Sequence, residues 1–257
     1  MLDPVEFEKL FTAGVQGGQY PQKLYKYRSF DKNTELIFKN HKLWFSAAIA
    51  FNDPFDCQIQ DQGGYTRNEI IGYLISRGGL DAAEAAKIVD AQFNSPFFFP
   101  SLLEKVKELI LGSKGILSLS AVPDNILMWS HYSTSHTGFA LGFELLKDVQ
   151  FFNAPLRVNY SPDYPVFKYL LEPDKIAPVG LGTKSDVWGY EEEIRILKNN
   201  TGLHSFAKSC LVEVVLGCRI DPSNETLIRG YLNAYGYGHV VVRKAQVSSS
   251  KYELILV

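Results

Sequence analysis

The sequence predicts an α+β fold: one domain over residues 1–257 with a mostly antiparallel sheet and a helical block inserted at about 66–112. Three observations carry that expectation. Short runs with two-residue apolar alternation recur along both halves of the chain. Residues 66–112 switch to helical spacing instead. No internal repeat and no linker interrupts the chain, and its 46% apolar and 13% aromatic content suffices for one sizeable core.

Taken in order, residues 3–12 predict a helix with Asp3 as N-cap, Pro4 at its first position, and Val5, Phe7, Leu10 and Phe11 as apolar contacts. Leu24-Tyr25-Lys26-Tyr27-Arg28 alternates as a strand, with Leu24, Lys26 and Arg28 on one face and the tyrosines on the other. Ser29 or Asp31 caps a helix over 33–40. A strand over 42–46 ends at Ser46 and runs into Phe51-Asn52-Asp53-Pro54-Phe55-Asp56. Pro54 rigidifies that turn, which projects Asn52, Asp53 and Asp56 either as an Asx turn or as functional groups. Helices follow over 68–75, 81–93 (Asp81 as cap) and 101–111. Between the last two, Phe97, Phe98 and Phe99 plug the core or a partner. Strands are expected at 115–120 and 137–144, with small residues at alternate positions in the second, and a helix at 124–132 spaced by Ile126, Trp129 and Tyr132. His131, beside Trp129, reads as a core or cleft-edge imidazole. His131 and His136 have no supporting ligand frame, so no metal site is expected. The remaining strands fall at 156–160, 211–217, 239–242 and 252–256, with a helix over 224–235.

The stretch 186–197 carries the chemistry. Read as extended, it puts Glu191, Glu193 and Arg195 on one face and Tyr190, Glu192, Ile194 and Ile196 on the other. Two carboxylates about 7 Å apart on one face repel unless a cation or polar ligand separates them. Pairing with Arg195 is the structural explanation, and a site is the functional one.

The totals exclude several classes. A net charge of −2 argues against a surface given over wholly to nucleic acid. Three cysteines, at no metal-ligand spacing, fit a reducing compartment. The N-terminus lacks signal-peptide features, and no apolar run approaches the ~20 residues of a membrane span. A cytoplasmic protein with no membrane partner is expected.

Several blocks together resemble a bacterial family of uncharacterised proteins, domain of unknown function twenty-nine seventy-one. They are Leu24-Tyr25-Lys26-Tyr27-Arg28-Ser29, Phe51-Asn52-Asp53-Pro54-Phe55-Asp56, Leu117-Ser118-Leu119-Ser120, Met128-Trp129-Ser130-His131-Tyr132 with Gly138 and Gly142-Phe143-Glu144, and Trp188-Gly189-Tyr190-Glu191-Glu192-Glu193-Ile194-Arg195. More distantly, the order basic strand, short helix, strand ending at Ser46 and late strand bearing Glu is similar to the plan of ADP-ribosyltransferases, including DNA-modifying toxins. That resemblance implies a split sheet, NAD as cofactor and transfer of ADP-ribose to a macromolecular acceptor, protein or nucleic acid, in a toxin or phage-defence setting. It also implies that Arg28 or Lys26 holds the cofactor, with Tyr27 beside them, that Ser46 lines the nicotinamide pocket, and that Glu193 or Glu191 is catalytic. Glu191-x-Glu193 is the spacing of members that modify arginine. The physics agrees, because a fixed carboxylate stabilises the positive charge that develops on ribose as the nicotinamide bond breaks.

The turn holding Asn52, Asp53 and Asp56 has no counterpart in that plan. It is expected to orient Arg28. Glu213 is a further candidate carboxylate, and Trp129, His131, Tyr132 and Arg195 complete the candidate site. No Gly-x-Gly-x-x-Gly loop supports a Rossmann site. Two alternatives stand beside the transferase: a binding or sensing module with Arg28 clamped to Asp53 or Asp56 and Arg195 to Glu191, and a Mg²⁺-dependent nuclease built on Asp53, Asp56, Glu191 and Glu193.

Overall fold

A computed structural model describes residues 4–153 and 155–257. In chain order the elements are α1 (Pro4–Gln16), β1 (Lys23–Arg28), α2 (Thr34–Asn40), β2 (Lys42–Phe45), β3 (Gln60–Asp61), α3 (Arg67–Ser76), α4 (Ala82–Gln92), α5 (Phe98–Gly112), β4 (Gly115–Ser120), α6 (Ile126–Tyr132) and β5 (Phe139–Glu144). There follow β6 (Pro155–Arg157), β7 (Asn159–Ser161), β8 (Val166–Phe167), α7 (Ile176–Gly180), β9 (Thr183–Ser185), β10 (Glu193–Lys198), β11 (Gly202–Ser205), β12 (Leu211–Leu216), α8 (Pro222–Ala234), β13 (Val241–Val247) and β14 (Leu254–Leu256).

The chain divides into two compact units where the sequence predicts one domain. The first holds the residues up to Phe45 with 116–157 and 187–257, and the second holds 46–115 with 158–186. The helical block is therefore part of a unit that also recruits the segment after β6. The expected strand over 156–160 divides accordingly: β6 pairs with β10, and β7 pairs with β9.

In the first unit an eight-stranded sheet runs β14-β13-β12-β5-β1-β4-β10-β6. The pairs β1–β5, β1–β4, β5–β12, β10–β6 and β13–β14 are antiparallel, and β12–β13, joined through α8, is parallel. The α+β class with a mostly antiparallel sheet is therefore observed. One face carries the main core, where Leu24, Leu117, Leu119, Phe139, Leu141, Phe143, Ile194, Ile196, Val214 and Leu216 meet Phe11 and Val15 of α1, Ile37 and Phe38 of α2, and Ile228 and Leu232 of α8. The other face carries a smaller cluster of Tyr25, Tyr27, Ala140 and Val215 under Met128 and Trp129 of α6. Gly142 keeps this second face open, since a Cβ there would come within 2.9 Å of the Tyr25 ring and 3.0 Å of the Glu213 Cβ.

Local rules account for the helices. Asn125 caps α6 by accepting from the amides of Leu127 and Met128, and Asp221 caps α8, where Pro222 follows it. In α1, Phe11 and Val15 are buried one turn apart while Val5 and Leu10 are exposed, so only part of the expected apolar set faces the core. Asp3, its expected cap, and the Phe7 side chain lie outside the described residues. At the start of α2, Asp31 accepts from the Asn33 amide and Thr34 Oγ1 accepts from the Asp31 amide.

In the second unit, Thr66 and Glu69 form a capping box on α3, and Asp81 caps α4 as expected. Helix α5 begins earlier than the prolines suggest, at Phe98. Phe99 packs against Tyr65, Phe93 and Phe98, whereas Phe97 is 77% exposed. Of the three phenylalanines between the prolines, Phe97 thus stays at the surface.

Candidate functional site

The stretch 186–197 is extended only in its second half. Asp186–Glu191 forms a 3₁₀ turn, Glu192 has a left-handed φ of 44°, and β10 starts at Glu193. The alternation expected from Tyr190 onwards is therefore reset at Glu192. From Glu193 it holds: Ile194 and Ile196 enter the main core, so Glu193 and Arg195 point to the α6 face.

There Arg195, fully buried, donates from Nε to Glu193 Oε1 at 2.9 Å and from Nη2 to Oε2 at 3.1 Å. This two-pronged pair is the geometry in which a guanidinium best compensates a buried carboxylate. Glu193 thus pairs with Arg195 within β10, while the positive φ at Glu192 ends the strand alternation before Glu191. Glu191 is also buried. Its Oε1 accepts from the Tyr132 hydroxyl at 2.6 Å, and its carbonyl accepts from Ser120 Oγ at 2.6 Å. Burial first, and then the bond to Glu191, push the Tyr132 hydroxyl far above its ordinary range, so it stays a donor.

An aromatic rim lies beside the acids. His131 Nδ1 is 2.8 Å from the Tyr190 hydroxyl. The rings of His131, Trp188 and Tyr190 lie pairwise at 6.0 Å between centroids. His131 is exposed, and Trp188 and Tyr190 are half-buried. Sequence reasoning missed Trp188 and Tyr190 as site residues. The signal available was Trp-Gly-Tyr-Glu itself: a turn of three residues brings positions 188 and 191 into line, but a strand reading sends both aromatics to the face opposite Glu191.

Strand β1 meets β5 over all six residues but registers with β4 through the single pair Tyr25↔Ser120. Beyond that pair the Lys26 amine donates to the carbonyl of Ser118 on β4 at 3.0 Å. Desolvation, then the like charge of Arg28, lower the Lys26 pKa to about 8, while Glu193 and Glu191 pull it up. Part of the Lys26 side chain keeps solvent contact, but its charge is within reach of both acids.

Arg28 is not brought to the acids. It pairs across strands with Phe139, a main-core residue, and directly opposed residues share a face. Arg28 therefore lies on the α1–α2–α8 side, as does Lys26 opposite Leu141, and Glu193 on the α6 side. The Lys26 amine reaches the seam through the Ser118 carbonyl. The Arg28 guanidinium is 3.5 Å from Asp31. The Asn52–Asp56 turn, expected to orient Arg28, belongs to the second unit. In the second unit the Asp53 side chain accepts from the Phe55 amide, the Asx-turn reading, and Asp56 is 3.7 Å from Lys184. Asn52 sits exposed in the same turn.

Tyr27 and Trp129 are packing residues. Their rings meet edge to face at 5.1 Å, and their polar atoms donate to the carbonyls of Val122 and Pro123. Ser46 belongs to the second unit, and the strand before it leaves the main sheet to pair with β11. Glu213 is a structural acid, held by Tyr25 at 2.9 Å, Arg243 at 3.2 Å and Lys23 at 3.4 Å. Among the described residues no three His, Cys, Asp or Glu side chains are grouped to hold a metal ion, and no helix is long and apolar enough to cross a membrane.

Fold and site together define an α+β protein with two buried carboxylates under an aromatic rim. Residues 128–196 match the family described as Protein of unknown function (DUF2971), which supports the family resemblance over that segment. The segment runs from α6 to Ile196 of β10 and so contains every member of the cluster except Lys26 and Ser120. No curated protein and no solved structure matches the chain.

Proposed function

We propose that the first unit is an ADP-ribosyltransferase-like site that takes NAD at the seam between β1 and β4 and acts on a macromolecular acceptor, protein or nucleic acid. The observation that carries this reading is the pair of buried acids, Glu191 and Glu193, beside the rim of His131, Trp188 and Tyr190, with the Lys26 charge interacting with both across the seam where one residue pair joins β1 to β4. The residues fit the group: the rim of His131, Trp188 and Tyr190 offers ring faces to a planar base, and Lys26 offers an amine to a diphosphate. Bound NAD supplies a ribose–nicotinamide bond whose breaking develops positive charge on the sugar.

Arg195 takes both oxygens of Glu193 and holds it in place. Glu191, fixed through one oxygen by Tyr132, is the carboxylate this reading assigns to the developing charge. Tyr132, Ser120 and Arg195 are then positioning residues. The cofactor role implied for Arg28 passes to Lys26.

Labelled NAD with a cell lysate tests the reading. Transfer is expected from the wild type and is lost in Glu191→Gln, while calorimetry still detects NAD binding by the folded variant. A folded protein that binds no NAD would sink the proposal. The fully buried Glu193–Arg195 fork favours a second reading, a recognition module without turnover. NAD binding without any transfer identifies that case.

A further inference from the structure

The second unit holds a cavity of about 480 Å³ between the 48–58 segment and α5, within the ~300–1,000 Å³ range of small-molecule sites. Its chemistry is two-sided. Ile49, Phe51 and Leu111 line it with hydrocarbon, and Asp53, Glu104 and Glu108 line it with carboxylates. The lining cation is Lys107, whose amine donates to Gln58 Oε1 at 2.9 Å. Asp56, also in the lining, is paired with Lys184 of β9, so three carboxylates stand against one amine.

The wall is rigid. Pro54 and the Asp53 turn set the loop, and the Asp56–Lys184 pair ties it to β9. The hydrocarbon is also exposed to an unusual degree, with Ile49 at 92%, which leaves apolar surface for a guest to cover. A negative field over an apolar wall selects a positively charged guest with an apolar body, and it repels anions by the same Coulomb term.

We infer that this cavity binds a small organic cation, an amine or quaternary ammonium carried on an apolar group. The inference rests on the second unit alone and is independent of the NAD reading. Three probes of similar shape test it on the full chain by calorimetry: 2-phenylethylammonium, 2-phenylethanol and 3-phenylpropionate. The ammonium is expected to bind about tenfold more tightly than the alcohol, and the propionate more weakly than both. Glu104→Gln with Glu108→Gln, both on the exposed side of α5, should cut ammonium affinity about tenfold and leave the alcohol's unchanged. Glu191→Gln, in the first unit, should change neither. Equal affinity for the ammonium and the alcohol, tighter binding of the propionate, no ammonium binding at about 10 mM (some 2.7 kcal/mol), or a double variant with unchanged affinity would each overturn the inference.

Discussion

The first unit buries acids at two places on the α6 face of its sheet, and the two are built in opposite ways. Glu213, on β12, meets a tyrosine hydroxyl and two cations, Lys23 and Arg243, whose own side chains are 45% and 49% exposed. Its charge is answered from the surface by donors that water also reaches. Glu193, two strands beyond β1, is answered by Arg195, which has no exposure at all, and its neighbour Glu191 accepts from Tyr132, whose ring adjoins that of the exposed His131. A buried carboxylate alone does not mark a site. Glu213 is answered by groups that water reaches, while Glu191 accepts from Tyr132 beside the rings of His131, Trp188 and Tyr190.

The sharpest way to break this comparison is to remove the internal cation. Arg195→Met leaves Glu193 buried without its two-pronged partner, and the expected cost is about 3–5 kcal/mol, read as a fall in the urea midpoint. A loss under about 1 kcal/mol would show that water or Lys26 reaches Glu193. Tyr132→Phe comes next. It removes the donor at 2.6 Å from Glu191 and should cost about 1–3 kcal/mol, with NAD affinity falling in parallel if Glu191 is held for that ligand.

Lys26 gives a subtler handle through pH. Its folded pKa of about 8 lies below the ordinary 10.5, so between those values the unfolded chain keeps a proton that the native protein has lost. Stability therefore rises with pH across that window. In the difference between wild type and Lys26→Met, the raised tyrosines Tyr25, Tyr27 and Tyr132 contribute equally to both and cancel. Denaturant curves at pH 7.5, 8.5 and 9.5, values chosen to bracket roughly that window, should show the wild type gaining on the variant. A flat difference would place the Lys26 amine in bulk-like water.

Much of the first unit is legible in the sequence because strand alternation is local. The β1 pattern gives the faces of Leu24, Tyr25 and Tyr27 correctly, and in the second unit Asp81 is a cap by the same kind of short-range chemistry. What alternation cannot give is which strands become neighbours and on which side a distant strand presents its odd residues. Arg28 and Glu193 each follow their own strand's period, yet the pairing through β5 and β4 sets them on opposite faces. A single left-handed residue, Glu192, resets the register and sends Tyr190 to His131 instead of away from it. Strand β2, which precedes Ser46, pairs with β11 outside the main sheet, a long-range choice that four residues do not encode. The division into two units is hidden for the same reason, since the second is assembled from segments on either side of the β4–β6 region.

The smallest effect sharpens the comparison from the Glu213 side. Arg243→Ala removes a half-exposed cation 3.2 Å from Glu213 Oε1, yet leaves Tyr25 and Lys23 on the other oxygen. Water can enter where the guanidinium stood, because Arg243 itself is open to solvent. The expected loss is therefore about 0.2–1 kcal/mol, several-fold below that of Arg195→Met, and 1 M salt should shrink it further by screening the Arg243–Glu213 attraction that the variant removes. If Arg243→Ala instead costs as much as Arg195→Met, the two acid centres are equivalent. Glu191 and Glu193 would then have no better claim than Glu213 to be more than framework.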